Sequence, residues 1–303
     1  MKRILIALLA MGCALHAAES YIIIDNQTGH ILESRKAREK LPVASLTKVA
    51  TALVVLDWAS LNNADLSQTV DIPPIALVDA GMNPIGFGAG DRLSLRDLVY
   101  CSLLASDNIA ARTLAYHIGS RIPNPEGLDA ISNFVAQMNA LARSLGMQRS
   151  LFLNPSGFDS TERGKIPHST AEDMARLTRH ALNDAGFAFY VAQRSRQIHI
   201  GRGGTDYPYD IKNTNELLGT DGIDGVKTGR TRRAGDCLIV SSERPPESRR
   251  EGEQVLVTPR RITAVLLRSP DRFRDGLGLI QHGWSVYEQW AAEGRPVKKG
   301  TTL

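Results

Sequence analysis

Strand-forming segments lie at the two ends of this 303-residue chain, with a long and mainly helical stretch between them. Near the start, Tyr21-Ile22-Ile23-Ile24 reads as a strand, turned at Asn26-Gln27-Thr28-Gly29 and answered by His30 to Ser34. Near the end, Val226–Thr231, Cys237–Ser241 and Ile262–Leu267 read as adjacent antiparallel strands, followed by a closing helix from Phe273 to Trp290. The middle keeps helical spacing. Val49, Leu53 and Leu56 share a face, and Ser94 with Asp97 opens a helix through Leu98, Val99, Leu103 and Leu104. Further helices are predicted over Ile109–Ile118, over Asp129–Leu145 before Gly146, and from Thr170 with Asp173 to about Ala185-Gly186. A few short strands are not stable alone. The two ends must therefore meet in one antiparallel sheet, with the helical stretch inserted between them.

This topology places a sheet subdomain at about residues 19–60 and 195–290, a helical subdomain at about 61–194 and a short tail at 291–303. Gln197–Ile200 and Tyr209–Lys212 flank the cluster Gly201-Arg202-Gly203-Gly204, a hairpin tip assigned to the sheet subdomain. No helix follows these glycines, so they are not a phosphate loop. The polar run Glu243 to Gln254 is expected to be a mobile, solvated loop.

The first eighteen residues follow a different logic. Lys2-Arg3, the apolar run from Ile4 to about Leu15 and the small residues Ala17-Ala18 have the order of a secretory signal peptide. The expectation is an exported, periplasmic or cell-wall-associated protein, cleaved after Ala17 or Ala18. Lipidation at Cys13 is the alternative, against which Ala10 stands where leucine is usual. No later segment reads as long and apolar enough for a stable transmembrane anchor. Export permits a disulfide, yet Cys101 and Cys237 carry no spacing signal and are expected as buried free thiols. The net charge of +4 is mild, its basic residues are scattered, and no nucleic-acid motif accompanies them. Neither the seven histidines nor the cysteines have metal spacing, and no cofactor is implied.

Three short motifs carry the chemistry. In Pro42-Val43-Ala44-Ser45-Leu46-Thr47-Lys48, residues three apart on a helix bring a hydroxyl and an amine onto one face. Serine is a weak nucleophile until a base takes its proton, and lysine becomes that base when burial or nearby positive charge lowers its pKa. Ser106-Asp107-Asn108 follows a helix, where side chains project from a loop. Lys227-Thr228-Gly229 sits on a strand, where alternate residues face one side. The motifs lie 61 and then 121 residues apart. In this order they are the signature shared by class A β-lactamases and penicillin-binding proteins.

On these motifs the chain resembles the low-molecular-mass penicillin-binding proteins, the serine-type D-Ala-D-Ala carboxypeptidases. The likeness runs from about Tyr21 to Trp290 and includes Asn154-Pro155-Ser156-Gly157-Phe158, Ser169 to Met174, Asn213-Thr214-Asn215 and Asp224-Gly225-Val226 before Lys227. It implies an α/β chain of β-lactamase/transpeptidase-like fold: a five-stranded antiparallel sheet flanked by helices beside an all-helical subdomain, with the site between them. It also implies the roles. Ser45 attacks the D-Ala-D-Ala carbonyl of a peptidoglycan stem peptide and Lys48 takes its proton. Ser106 relays a proton to the leaving amine, polarised by Lys227. Asn108 holds Lys48 and the substrate amide. Lys227 and Thr228, with Gly229, bind the terminal carboxylate, and the backbone N–H groups of Ser45 and Arg230 form the oxyanion hole. A second positive charge at Lys227 is expected to help keep Lys48 neutral. Asp107 departs from the glycine usual at its position, and its side chain is expected to point away from the nucleophile. Arg230, with Arg232-Arg233, either adds positive charge beside the carboxylate pocket or is a solvated strand end.

β-Lactam antibiotics are the expected covalent inhibitors. A β-lactamase needs a glutamate in E-x-x-L-N to activate its deacylating water, and Ser150-Leu151-Phe152-Leu153-Asn154 has serine there. A penicillin is thus expected to acylate Ser45 and to leave slowly. An endopeptidase acting on crosslinks and a silent binder of cell-wall peptides are competing possibilities. After Trp290, residues 291–303 are too few for a β-rich second domain or an amphipathic anchor.

Overall fold

A computed structural model describes residues 18–159, 164, 166–252, 254–298 and 300–303. The signal segment and Cys13, Ala18 apart, lie outside the described residues.

The chain opens with β1 (Ser20–Asp25) and β2 (Ile31–Arg35), then a 3-10 turn (Ala44–Thr47) running into α1 (Lys48–Leu61). There follow β3 (Thr69–Asp71), α2 (Pro74–Leu77), β4 (Arg92–Ser94), α3 (Leu95–Leu103), α4 (Asn108–Gly119) and α5 (Ala130–Ser144). Next come α6 (Ala171–Leu182), α7 (Ala185–Val191), β5 (Ser195–Arg202) and β6 (Thr205–Lys212). The chain closes with β7 (Ile223–Thr231), β8 (Gly235–Glu251), β9 (Gln254–Ser269) and α8 (Arg272–Ala292).

Both chain ends do meet in one antiparallel sheet of order β2-β1-β9-β8-β7. Ile23 of β1 stands opposite Ala264 of β9, so the N-terminal strand is an inner strand of the sheet, beside the C-terminal hairpin β8–β9. Period-two alternation sorts the side chains onto the two faces. Ile22 and Ile24 point into the core shared with α1 and α6, together with Ile239, Val265 and Leu267. Tyr21 and Ile23 point to the other side, where Leu238, Val240 and Leu266 meet Trp284 and Tyr287 of α8. Strands covered on both faces read as unbroken apolar runs, which is why β1 has no polar residue between Tyr21 and Ile24.

Helix starts follow their caps. Ser94, Asp107, Asp129, Thr170, Asp184 and Asp271 each accept a backbone N–H of the first turn with the side chain. Each such cap satisfies a donor that the helix leaves orphaned.

Several expectations are corrected. The hairpin β5–β6 does not join the five-stranded sheet. It pairs with β4, and β3 and β4 lie within the helical stretch, so a second sheet of order β3-β4-β5-β6 forms and that stretch is not all-helical. Arg202 fixes the hairpin there through its charged contact with buried Asp91. Ala185-Gly186 does not end α6; it opens α7, because Asp184 caps the Phe187 N–H. Most of the run Glu243–Gln254 is not a loop. β8 continues to Glu251 and β9 starts at Gln254, forming a two-stranded ribbon with Pro245-Pro246 accommodated at a register shift between Arg244 and Glu247. Three of its charges are paired, Glu243 with Arg261, which also meets Asp224, Glu247 with Arg260 and Arg295, and Arg244 with Glu288. The Arg244 guanidinium also stacks 4.4 Å from the Trp284 ring centre. Finally, Ala44–Leu61 is long and apolar enough to cross a membrane (mean hydropathy 1.3), against expectation, but 61% of it is buried inside the protein as a core helix. Cys101 and Cys237 are free and buried. The tail is docked: Ile31 N–H donates to Thr301 O, and His30 stacks on Trp290 at 4.4 Å.

Candidate active site

The site gathers where the 3-10 turn, the start of α4, the turn after residue 153 and the edge strand β7 converge. Ser45 sits in the 3-10 turn and Lys48 is the first residue of α1. The tighter turn keeps the i, i+3 relation in register, since side chains three apart eclipse in a 3-10 helix. Lys48 Nζ lies 2.8 Å from Ser45 Oγ. It also donates to Asn108 Oδ1 at 2.7 Å and to the Ser156 carbonyl at 2.8 Å.

Those partners decide what the amine does. Asn108 Oδ1 and the Ser156 carbonyl can only accept, so they take two N–H bonds. In a neutral amine the remaining direction is the lone pair, and it points at the Ser45 hydroxyl. Lys48 is fully buried, and burial pushes its pKa down to about 7, with the charge of Asp107 opposing the shift. Burial, one of the two expected causes, is the one that lowers Lys48, and the like charge expected to help acts instead on Lys227. Lys227 is itself held well below its ordinary value, by burial first, then by the charges of Lys48 and Arg272.

Local sequence explains each placement. Asn154 Oδ1 accepts from the N–H groups of Ser156 and Gly157, folding Pro155-Ser156 into a turn that aims the Ser156 carbonyl inward. Thr51 Oγ1 fastens the same turn to α1 through the Pro155 carbonyl at 2.6 Å. Asn108 begins α4, whose N-cap is Asp107, with Oδ1 accepting from Ala110 N. One hydrogen of the Asn108 amide nitrogen is used, Nδ2 donating to the Ala80 carbonyl at 2.7 Å. The structure brings Asn108 to Lys48, and an amide nitrogen carries a second N–H besides the one given to Ala80. Ser106 precedes it in the loop, half-buried, with a left-handed backbone (φ 59°) of the kind found at functional sites.

On β7, Lys227 is buried and its Nζ donates to the Thr228 carbonyl at 3.1 Å, while Thr228 Oγ1 meets Thr214 Oγ1 at 2.6 Å. Gly229 lies against the nucleophile turn. A Cβ there would stand 3.1 Å from both Ser45 N and Val43 O, tighter than usual contact, so a side chain would push the strand edge back from the Ser45 amide by a few tenths of an ångström. The Arg230 side chain is largely exposed and turns to Asp236 at 3.4 Å, as a solvated strand end does.

Sequence reading missed the Ser156 and Ala80 carbonyls. The Asn-Pro-Ser-Gly turn was visible, but which carbonyl it presents was not. It also missed Asp159, which receives Thr231 Oγ1 at 2.9 Å and Arg233 N at 3.3 Å and so ties the loop after Gly157 to the end of β7. Ser150 is locked, donating to Asp173 Oδ2 at 2.8 Å beside Ser169 Oγ at 2.7 Å.

A serine hydroxyl facing a dry lysine amine, on a mixed fold with this antiparallel sheet, defines a serine hydrolase of the DD-peptidase/β-lactamase-like class. The family described as peptidase S11, D-alanyl-D-alanine carboxypeptidase, matches residues 10–249, and the chain belongs to it. It is 29% identical over 230 residues to the D-alanyl-D-alanine carboxypeptidase DacF of Bacillus subtilis, covering 76% of this chain and 55% of that one. To a D-alanyl-D-alanine endopeptidase of Pseudomonas aeruginosa it is 31% identical, over 74% of this chain and 66% of the relative. The chain thus spans about half to two-thirds of these relatives' lengths. Among solved structures, penicillin-binding protein D2 from Listeria monocytogenes in its cefotaxime-bound form superposes with a TM-score of 0.71 and 27% identity, over 90% of this chain and 99% of that one.

Proposed function

We propose that this protein is a serine DD-peptidase that removes the terminal D-alanine of peptidoglycan stem peptides outside the cytoplasm. The observation that carries the reading is the aim of the Lys48 amine at Ser45 Oγ with its other two directions occupied by acceptors. Lys48 takes the hydroxyl proton as Ser45 attacks the penultimate D-alanine carbonyl. The backbone N–H groups of Ser45 and Arg230 receive the oxyanion, an arrangement in which one lost donor typically costs about 3–4 kcal/mol of barrier. Ser106 passes the proton to the leaving amine. Lys227 and Thr228 take the terminal carboxylate, for which a buried lysine with no anionic partner among the described residues is suited. Water then releases the acyl group.

A second reading is an endopeptidase acting on crosslinks, favoured by the name of the Pseudomonas relative. Incubation of the protein with purified muropeptides, read by mass spectrometry, separates the two. Free D-alanine from pentapeptides supports the carboxypeptidase, whereas monomers released from crosslinked dimers support the endopeptidase. A β-lactamase reading lacks its water-activating glutamate at position 150, where Ser150 stands with its hydroxyl donated to Asp173. β-Lactams act here as slow-leaving inhibitors of Ser45. A silent cell-wall binder would leave both muropeptides intact.

A further inference from the structure

The four-stranded sheet holds a cavity that the acyl-transfer machinery does not use. β4 and β5 are paired only at Arg92 and Gly201, whereas β5 and β6 pair along their whole length. Beyond that one contact the strands splay, and a cavity of about 470 Å³ opens, lined by Thr69, Ser94 and Asp97 and, from the hairpin, by His199, Gly201 and Asp206. That is room for a small-molecule-sized ligand.

The walls are held in place by the fold. Arg202 at the hairpin tip donates through Nε to buried Asp91 at 2.7 Å and through Nη2 to the Gly86 carbonyl at 2.9 Å. Asp91 also accepts from Gly88 N at 2.7 Å, so tip and turn are clamped together across the cavity. Gly201 lies inside β5, where a glycine weakens pairing and often marks the close approach of a ligand. His199 Nδ1 lies 2.8 Å from Asp206 Oδ2, which in the neutral ring leaves Nε2 as an acceptor.

The lining selects a ligand class. Arg92 is paired with Asp71 at 3.1 Å, and Asp97 and Asp206 add negative charge, so an anion is disfavoured. Among the described residues, no three His, Cys, Asp or Glu side chains stand together to hold a metal ion. Hydroxyls, carboxylates and an imidazole both donate and accept, which suits a neutral ligand rich in hydroxyl and amide groups.

We propose that this cavity is a subsite for the amino-sugar portion of a glycan-linked stem peptide. The inference rests on the DD-peptidase reading of Ser45. Ser94 caps α3 and Ser106 follows its end, so nine residues of helix, about 14 Å, separate the cavity from the site. Along β6, Asp206 to Lys212 spans about 20 Å, and Thr214 just beyond meets Thr228 Oγ1 at 2.6 Å. A pentapeptide stem puts four residues between the scissile bond and the sugar, about 13–14 Å when extended. One substrate can therefore reach both places.

The test has two readouts on the full chain. Binding of N,N′-diacetylchitobiose, a neutral amino-sugar disaccharide, is followed by saturation-transfer NMR on protein already acylated with benzylpenicillin. Release of D-alanine is compared between a disaccharide-pentapeptide and the free pentapeptide. Wild type is expected to bind the disaccharide and to show a KM about ten-fold lower for the glycan-bearing substrate, at similar kcat. Thr69→Trp fills the cavity from an exposed strand position, and His199→Ala removes an acceptor. Both are expected to lose the binding and the KM difference while acylating normally with penicillin and keeping their KM for the free pentapeptide. No binding by wild type, equal binding of cellobiose, or a KM difference that survives both variants overturns the proposal. If wild type binds the disaccharide but releases D-alanine from neither substrate, the DD-peptidase reading fails instead, and loss of binding in Thr69→Trp still supports the subsite.

Discussion

Gly157 supports the nucleophile from behind, and Gly157→Ala measures how tightly. Its φ is +74°, and a Cβ there would stand 1.9 Å from the Ala44 carbonyl oxygen and 2.6 Å from Thr47 Oγ1. The left-handed backbone alone costs an alanine roughly 1–2 kcal/mol. The contact with Ala44 is between backbones and cannot be relieved by a rotamer. The Ser156–Gly157 turn and the 3-10 turn must part by about an ångström or more to reach ordinary contact distance. Ser156 holds Lys48 from one side of that gap, and the Ser45 turn forms the other. Parting them lengthens the 2.8 Å Lys48–Ser45 approach, and a displacement of about 1 Å in a catalytic pair can slow the reaction by roughly 100-fold. Gly146→Ala is the control, since its φ is also +74° but nothing lies within 4 Å of the added Cβ. Acylation by a fluorescent penicillin and Tm should be measured for both. Gly157→Ala is expected to lose about two orders of magnitude in acylation rate and several degrees of Tm, while Gly146→Ala loses a few degrees and acylates normally. Equal acylation by Gly157→Ala and wild type would refute the reasoning.

Other expectations are simpler to state. The acylation rate of wild type should fall on acidification with a midpoint near the Lys48 value of about 7, because the protonated amine has no lone pair for Ser45; a flat profile between about pH 5 and 9 would count against it. The same depression has a sign for stability. Between about 7 and the ordinary 10.5 the unfolded chain carries a proton that folded Lys48 lacks, so this group's contribution to stability, read by denaturant titration, rises with pH through that window. Lys48→Met should flatten that part of the curve. Ser150→Ala should lower stability by roughly 1–3 kcal/mol, by leaving the buried Asp173 carboxylate one donor short, and should leave the acyl-enzyme lifetime unchanged. A changed lifetime would reopen the β-lactamase reading.

Much of this molecule is legible in its sequence. The runs Tyr21–Ile24 and Ile262–Leu267 fix an inner pair of strands because they are apolar at nearly every position, and the capping residues locate helix starts closely. The β8–β9 ribbon was not legible. Glu243 to Gln254 has the composition of a solvated loop, and its extended form depends on partners far along the chain, such as Glu288 and Arg295. The displaced hairpin β5–β6 has the same cause, since Asp91 lies 111 residues from the Arg202 it holds. At the candidate site, side chains with distinctive chemistry were readable from motif order. The Ser156 and Ala80 carbonyls were not, because every residue has a carbonyl and only the folded turn selects one. Of the two causes expected to lower the Lys48 pKa, burial is the one that acts on it, and only the folded chain shows it: like charge is conspicuous in a sequence, whereas burial is not.

The most direct test of the account is where a penicillin attaches. The intact protein, incubated with benzylpenicillin and read by mass spectrometry with peptide mapping, is expected to gain a single penicilloyl group on the peptide carrying Ser45, and Ser45→Ala is expected to gain none. An adduct at any other residue, or equal labelling of Ser45→Ala, would contradict it.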